Sequence, residues 1–111
     1  MLDDTLIVIA GEFGRTPYCE GPFSRKSYGR DHNNRVGSLV MLGGGIKGGN
    51  AIGVTDEWGW DTVKDPIHVN DVQATMLHTL GVDHTKLVYR HEGRDFRLTD
   101  VAGRVMTEAL A

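Results

Sequence analysis

Thr5-Leu6-Ile7-Val8-Ile9-Ala10, followed at once by Gly11-Glu12-Phe13-Gly14-Arg15-Thr16-Pro17, decides how this chain is read. Residues 6–10 are consecutive aliphatics with β-branched members, the pattern of a strand buried on both faces. Two glycines bracketing an acid, then an arginine, deliver charge to the end of that strand. In open α/β folds the carboxyl edge of the sheet is where ligands bind. Further along, Gly29-Arg30-Asp31-His32-Asn33-Asn34 forms a second cluster of side chains compatible with metals and anions. Together the two segments read as half of an active site.

A chain of 111 residues is at most one small domain. Its 40% hydrophobic and 24% charged residues are those of a soluble globular protein, and exclude collagen-like or strongly disordered chains. A net charge of −3 with no long basic run gives no electrostatic footprint for nucleic acid. Arg25, Lys26 and Arg30 fall in a glycine-rich loop. No stretch approaches the ~20 apolar residues of a membrane helix, and Met1-Leu2-Asp3-Asp4 leads into the strand without the features of a signal peptide. Cys19 stands alone, which excludes an internal disulfide and a cysteine-rich zinc motif. The 15 glycines are about twice the usual share and predict long shaped loops, which belong to functional rims more often than to cores.

The pattern predicts three strands, two helices and two large loops. After the strand at 5–10, residues 11–37 show almost no periodicity and read as one long functional loop. Residues 38–42 are a second apolar strand ended by Gly43-Gly44-Gly45, residues 51–54 a brief edge strand, and Trp58-Gly59-Trp60-Asp61 a surface turn. Val69, Val72, Met76, Leu77 and Leu80 recur at helical spacing, with Asn70 or Asp71 as the cap and Gly81 at the terminating position. Val101, Val105, Met106 and Ala109 or Leu110 predict a final helix at about 101–110, capped by Thr99 or Asp100. A sheet of so few strands leaves faces and edges uncovered, so independent folding is not expected.

Two readings of each candidate residue stand. Glu12 is either a metal ligand, since hard divalent cations and zinc accept carboxylate oxygen, or a loop acid that pairs with Arg15 or accepts from exposed loop amides. Arg15 has the planar fork suited to phosphate, sulfate or carboxylate, or else pairs with Glu12 or Asp31. Asp31 and His32 offer a carboxylate and an imidazole to zinc, manganese or similar ions, or form a solvated turn. Asn33 and Asn34 can coordinate through their carbonyls or donate to an oxyanion. His68 helps start the helix or faces the same cleft, His78 packs or meets solvent, and His84 and His91 read as surface loop residues. Asp56-Glu57 with Trp58 and Trp60 reads as a turn stapled by an indole, or as a substrate mouth. Gly43-Gly44-Gly45-Ile46-Lys47-Gly48-Gly49 lacks the ending of a phosphate loop, and no serine-nucleophile elbow is present.

The order Gly-Glu-Phe-Gly-Arg-Thr-Pro, Gly-Arg-Asp-His and Gly-Gly-Gly-Ile-Lys-Gly-Gly resembles the bacterial domain-of-unknown-function family fifteen-oh-one. So do Thr55-Asp56-Glu57, His68-Val69-Asn70-Asp71, Leu77-His78-Thr79-Leu80-Gly81 and Gly93-Arg94-Asp95-Phe96-Arg97-Leu98-Thr99-Asp100. That family is similar to the alkaline phosphatase and sulfatase superfamily. The resemblance implies that residues 1–111 are the C-terminal portion of a sulfatase-like α/β sandwich, with its N-terminal part and nucleophile elsewhere. It implies a metal-dependent sulfate- or phosphate-ester hydrolase, inactive as this piece alone. Glu12, Asp31 and His32 would hold a divalent ion (zinc, calcium, magnesium or manganese), while Arg15 and Asn33 would donate to the anion. Phe13 departs from the superfamily's Asp-His pair, since phenylalanine cannot ligate. A non-catalytic relative binding an anionic glycan or a protein partner is the alternative, and export to the periplasm or beyond is the implied location.

Overall fold

A computed structural model describes residues 1–19, 21, 22, 24 and 29–111. Arg25 and Lys26, expected in the glycine-rich loop, lie outside the described residues. Strands β1 (Leu6–Ala10), β2 (Gly14–Cys19), β3 (Arg30–Asn33), β4 (Leu39–Gly43), β5 (Val54–Thr55) and β6 (Thr62–Lys64) precede helix α1 (Val69–Thr79). Strands β7 (Val88–His91) and β8 (Arg94–Arg97) follow it, and Thr107–Ala109 is a single 3-10 turn. Among the described residues the strands form four two-stranded sheets, β1 with β4, β2 with β3, β5 with β6 and β7 with β8. The last three pairs are antiparallel.

This architecture corrects the expected portion of an α/β sandwich with few strands and two helices. The protein is 33% strand and 16% helical, with small, mostly antiparallel sheets and one α-helix among the described residues. The helix expected at 101–110 does not form, because its backbone donors are taken by side chains of α1. Arg104 N–H donates to Asp71 Oδ1 at 2.9 Å and Met106 N–H to Thr75 Oγ1 at 2.9 Å. Gly103, at φ +100°, runs so close to the helix that a Cβ there would stand 2.8 Å from the Asn70 carbonyl oxygen. A left-handed residue in such contact stops helix propagation. The loop expected over 11–37 likewise contains β2 and β3, whose polar side chains and Pro17 hide any apolar alternation.

The chain divides into two compact units. The first comprises 1–7, 42–50 and 67–111, and centres on α1. His68, not Asn70 or Asp71, is the N-cap: its Nδ1 accepts from Asn70 N–H at 3.1 Å, while Asp71 Oδ2 accepts from His68 N–H at 3.1 Å. Gly81 takes the expected terminating role at φ +77°. Val72, Ala74, Met106 and Ala109 are buried around Thr75 and Thr99, which are fully enclosed. His84 is buried too, contrary to the surface position expected, because its Nδ1 lies 2.9 Å from Thr99 Oγ1. His91 is exposed as expected, but within β7 rather than a loop. With so small an apolar core, hydrogen bonds from the helix to the 103–106 strap carry much of the packing.

The second unit comprises 8–41 and 51–66. Among its described residues the buried side chains are polar, Thr16 and Asn33, and both organise backbone. Thr16 Oγ1 donates to the Tyr18 carbonyl at 2.8 Å, with the Asp31 carbonyl at 3.4 Å.

Asp71 holds two backbone N–H groups that burial would otherwise leave unpaired. Its replacement by alanine is expected to cost about 2 kcal/mol, from a lost cap and an orphaned donor. Urea unfolding monitored by circular dichroism measures the loss; a change within about 0.5 kcal/mol, the range of an ordinary surface substitution, would contradict this role.

Candidate metal and anion site

The site is built on the β2/β3 ribbon, where Gly14 faces Asn33 and Arg15 faces His32. A glycine is required at 14. Its N–H donates to the Val36 carbonyl at 2.7 Å, and a Cβ would overlap that carbonyl and the Val36 side chain. Directly opposed residues of an antiparallel pair share a face. Arg15 and His32 therefore rise side by side, and Glu12 reaches both from the turn before β2.

One carboxylate oxygen organises this cluster. Glu12 Oε1 accepts from Arg15 Nη2 at 3.0 Å and lies 3.0 Å from His32 Nε2. All three side chains are substantially exposed: 60% for Glu12, 42% for Arg15 and 53% for His32. Water therefore screens the contacts, and they are weak as stabilising ion pairs. The Glu12 carboxyl is held below its ordinary value of 4.5, first by its own backbone N–H, then by the His32 hydrogen bond and the Arg15 charge. Phe13 packs against the imidazole, with ring centroids 5.5 Å apart and planes tilted 60°. Because Glu12 takes Nε2 and Phe13 borders the ring, the imidazole orientation is set from two sides.

Asp31 and Asn33 belong to the other face of β3, since successive side chains alternate. Asp31 Oδ1 accepts from His32 N–H at 2.7 Å. Asn33 is buried; its Nδ2 donates to the Trp60 carbonyl at 2.9 Å and reaches the Gly59 carbonyl at 3.4 Å, while its Oδ1 accepts from Arg35 N–H at 3.1 Å. Its amide thus holds the tryptophan loop. The same loop is pinned by Asp56, whose carboxylate accepts from the N–H groups of Trp58, Trp60 and Asp61. Tyr18 packs on Trp60 at 5.5 Å between centroids. Among the residues expected at the site, the ribbon brings Glu12, Arg15 and His32 together and leaves Asp31 and Asn33 on the opposite face. Sequence reasoning missed Thr16 and Val36, and the signal for Val36 is only the glycine it requires at 14.

Among the described residues no three His, Cys, Asp or Glu side chains converge on one point. Two donors do. Octahedral ligands at right angles about an ion, each ~2.1 Å from it, stand roughly 3.0 Å apart, whereas tetrahedral ligands stand about 3.4 Å apart. The separation of Glu12 Oε1 and His32 Nε2 matches the octahedral figure. That separation is also that of the hydrogen bond the two groups make, and it is shorter than tetrahedral zinc sets between its ligands.

The family model described as "Protein of unknown function (DUF1501)" matches residues 1–110. The chain belongs to the DUF1501 family. Comparison with curated proteins gives no match, and neither does comparison with solved structures. DUF1501 membership accounts for the order of motifs along the chain. No helix among the described residues is long and apolar enough to cross a membrane.

The lowered Glu12 pKa has a definite pH consequence. A depressed carboxyl contributes to stability above its unfolded pKa and loses that contribution as pH falls through the lower folded value. Carbon-13 NMR titration of the Glu12 carboxyl is expected to give a midpoint below 4.5, moving partway back in His32→Ala. An unchanged midpoint in that variant would show that the imidazole does not hold the carboxylate.

Proposed function

We propose that this DUF1501 chain supplies one wall of a divalent-metal site in a sulfate- or phosphate-ester hydrolase related to the alkaline phosphatase and sulfatase superfamily. The observation that carries the reading is the 3.0 Å approach of Glu12 Oε1 to His32 Nε2, beside the Arg15 guanidinium. A bound divalent ion would act there as a Lewis acid, offsetting the charge that develops on a tetrahedral ester. Glu12 and His32 would hold the ion. Arg15 donates to the anionic group, and Phe13 keeps the imidazole in place. Asp31 steadies the His32 backbone, and Asn33 fixes the tryptophan loop.

Polypeptide outside residues 1–111 would supply the remaining donors and the nucleophile, so no turnover is expected of the chain alone. Exposure supports this division. Ile9, Leu39 and Val40 are 62%, 40% and 55% exposed, and Leu39 and Val40, as neighbours in one strand, face opposite sides. Apolar residues uncovered on both faces of a strand pair call for further layers of structure.

A second reading, a non-catalytic protein that binds an anionic glycan, draws on the pinned loop that exposes Trp58 at 69% and Trp60 at 40%. Metal binding separates the two readings. Calorimetric titration with Mn2+ is expected to show a site weakened by more than about ten-fold in both His32→Ala and Glu12→Gln, since even residues that only support metal ligands cost that much. Equal affinity in wild type and both variants would overturn the metal reading.

A further inference from the structure

Helix α1 ends beside a cleft. Gly81 N–H donates to the His78 carbonyl and Val82 N–H to the Leu77 carbonyl, each at 2.9 Å, so the chain turns back through Gly81. The turn brings Val82, Asp83 and His84 to the same space as His78. Val105 joins them from the strap that Asp71 and Thr75 hold at Arg104 and Met106. The cleft these residues line measures about 360 Å³, a size that takes a small molecule.

One polar atom of the cleft is left for a ligand. Thr99 is fully enclosed, and among the described residues its hydroxyl meets only His84 Nδ1, at 2.9 Å. A buried hydroxyl proton needs an acceptor. Thr99 therefore donates to Nδ1, and the proton of the neutral imidazole sits on Nε2. His84 is only 8% exposed, yet Nε2 has no hydrogen-bond partner among the described residues and is not sealed from solvent. Its N–H opens to the cleft.

The other lining groups decide what that donor receives. Val82 and Val105 are half-buried and apolar. The C-terminal end of α1 brings negative potential to residues 78–81. Asp83 adds a carboxylate, pulled down to about 2 first by the Thr85 hydroxyl, and already engaged by Thr85 Oγ1 at 2.6 Å and Lys86 Nζ at 3.3 Å. An anion is disfavoured beside these charges, and an ammonium group would leave Nε2–H facing another donor.

We propose that this cleft binds a small uncharged molecule, which presents a carbonyl oxygen to His84 Nε2–H and an apolar body to Val82 and Val105. The site does not depend on the metal reading of Glu12 and His32, which belong to the other compact unit.

Benzamide, benzoate and benzylamine test this, since they carry the same ring on a neutral, an anionic and a cationic head. In nitrogen-15 NMR titrations of the full chain, benzamide is expected to shift the amides of residues 78, 81–84 and 105 saturably. It is expected to bind about five-fold more tightly than either charged probe, the worth of one hydrogen bond or of a helix end. Long-range proton–nitrogen correlation is expected to find the His84 proton on Nε2. Val82→Phe and Val105→Phe fill the cleft from different residues, and each is expected to lose benzamide binding with the His84 proton unmoved. Absence of a saturable benzamide shift at these amides would overturn the site, as would undiminished binding in both variants. Equal or tighter binding of benzoate or benzylamine, or a His84 proton on Nδ1, would overturn the ligand class.

Discussion

The pairing of Arg15 with His32 across β2 and β3 is the constraint on which the site depends. It places a guanidinium and an imidazole on one face, and it leaves the other face to Asp31, Asn33 and the tryptophan loop. The register is held by the close passage of Gly14 under the Val36 carbonyl, where no side chain fits. A slip of one residue would turn every side chain of the ribbon over. His32 would then leave Glu12, and the charged cluster would dissolve into separate solvated groups. Buried Thr16 and Asn33 reinforce the same register from beneath, through backbone carbonyls of the neighbouring segments.

The two units use different means to hold their chains. Around α1, a few aliphatic side chains are supplemented by helix side chains that capture the N–H groups of the 103–106 strap. In the unit that carries the site, carboxylates and amides organise loops: Asp56 gathers three N–H groups and Asn33 two carbonyls. Such loops are fixed by side-chain hydrogen bonds without being deeply buried.

Much of this was legible from the residues alone. The β1 strand and α1 fall within about a residue of where aliphatic runs and helical spacing put them, and Gly81 ends the helix as its φ demands. Glu12 and Arg15 were legible as candidates because they sit among glycines at the end of the first strand, and His32 because it follows Asp31 as a carboxylate–imidazole pair. Their sharing of one face was not legible, since it follows from a register between residues seventeen apart that no local pattern encodes. The expected helix at 101–110 failed for a similar reason. Val101, Val105 and Met106 keep helical spacing, but α1 offers Asp71 and Thr75 as acceptors and Gly103 takes a left-handed turn against it. Tertiary acceptors outcompeted local propensity there. The sandwich expectation came from resemblance, and the small paired sheets replace it.

We propose that Glu12 and His32 jointly hold one divalent ion. Paramagnetic NMR with substoichiometric Mn2+ tests it most directly, because line broadening falls steeply with distance from the ion and needs no substrate. Amide signals of residues 11–15 and 31–33 are expected to broaden first and together. Broadening centred elsewhere, such as on Asp56 and Glu57 or on Asp83, would contradict it.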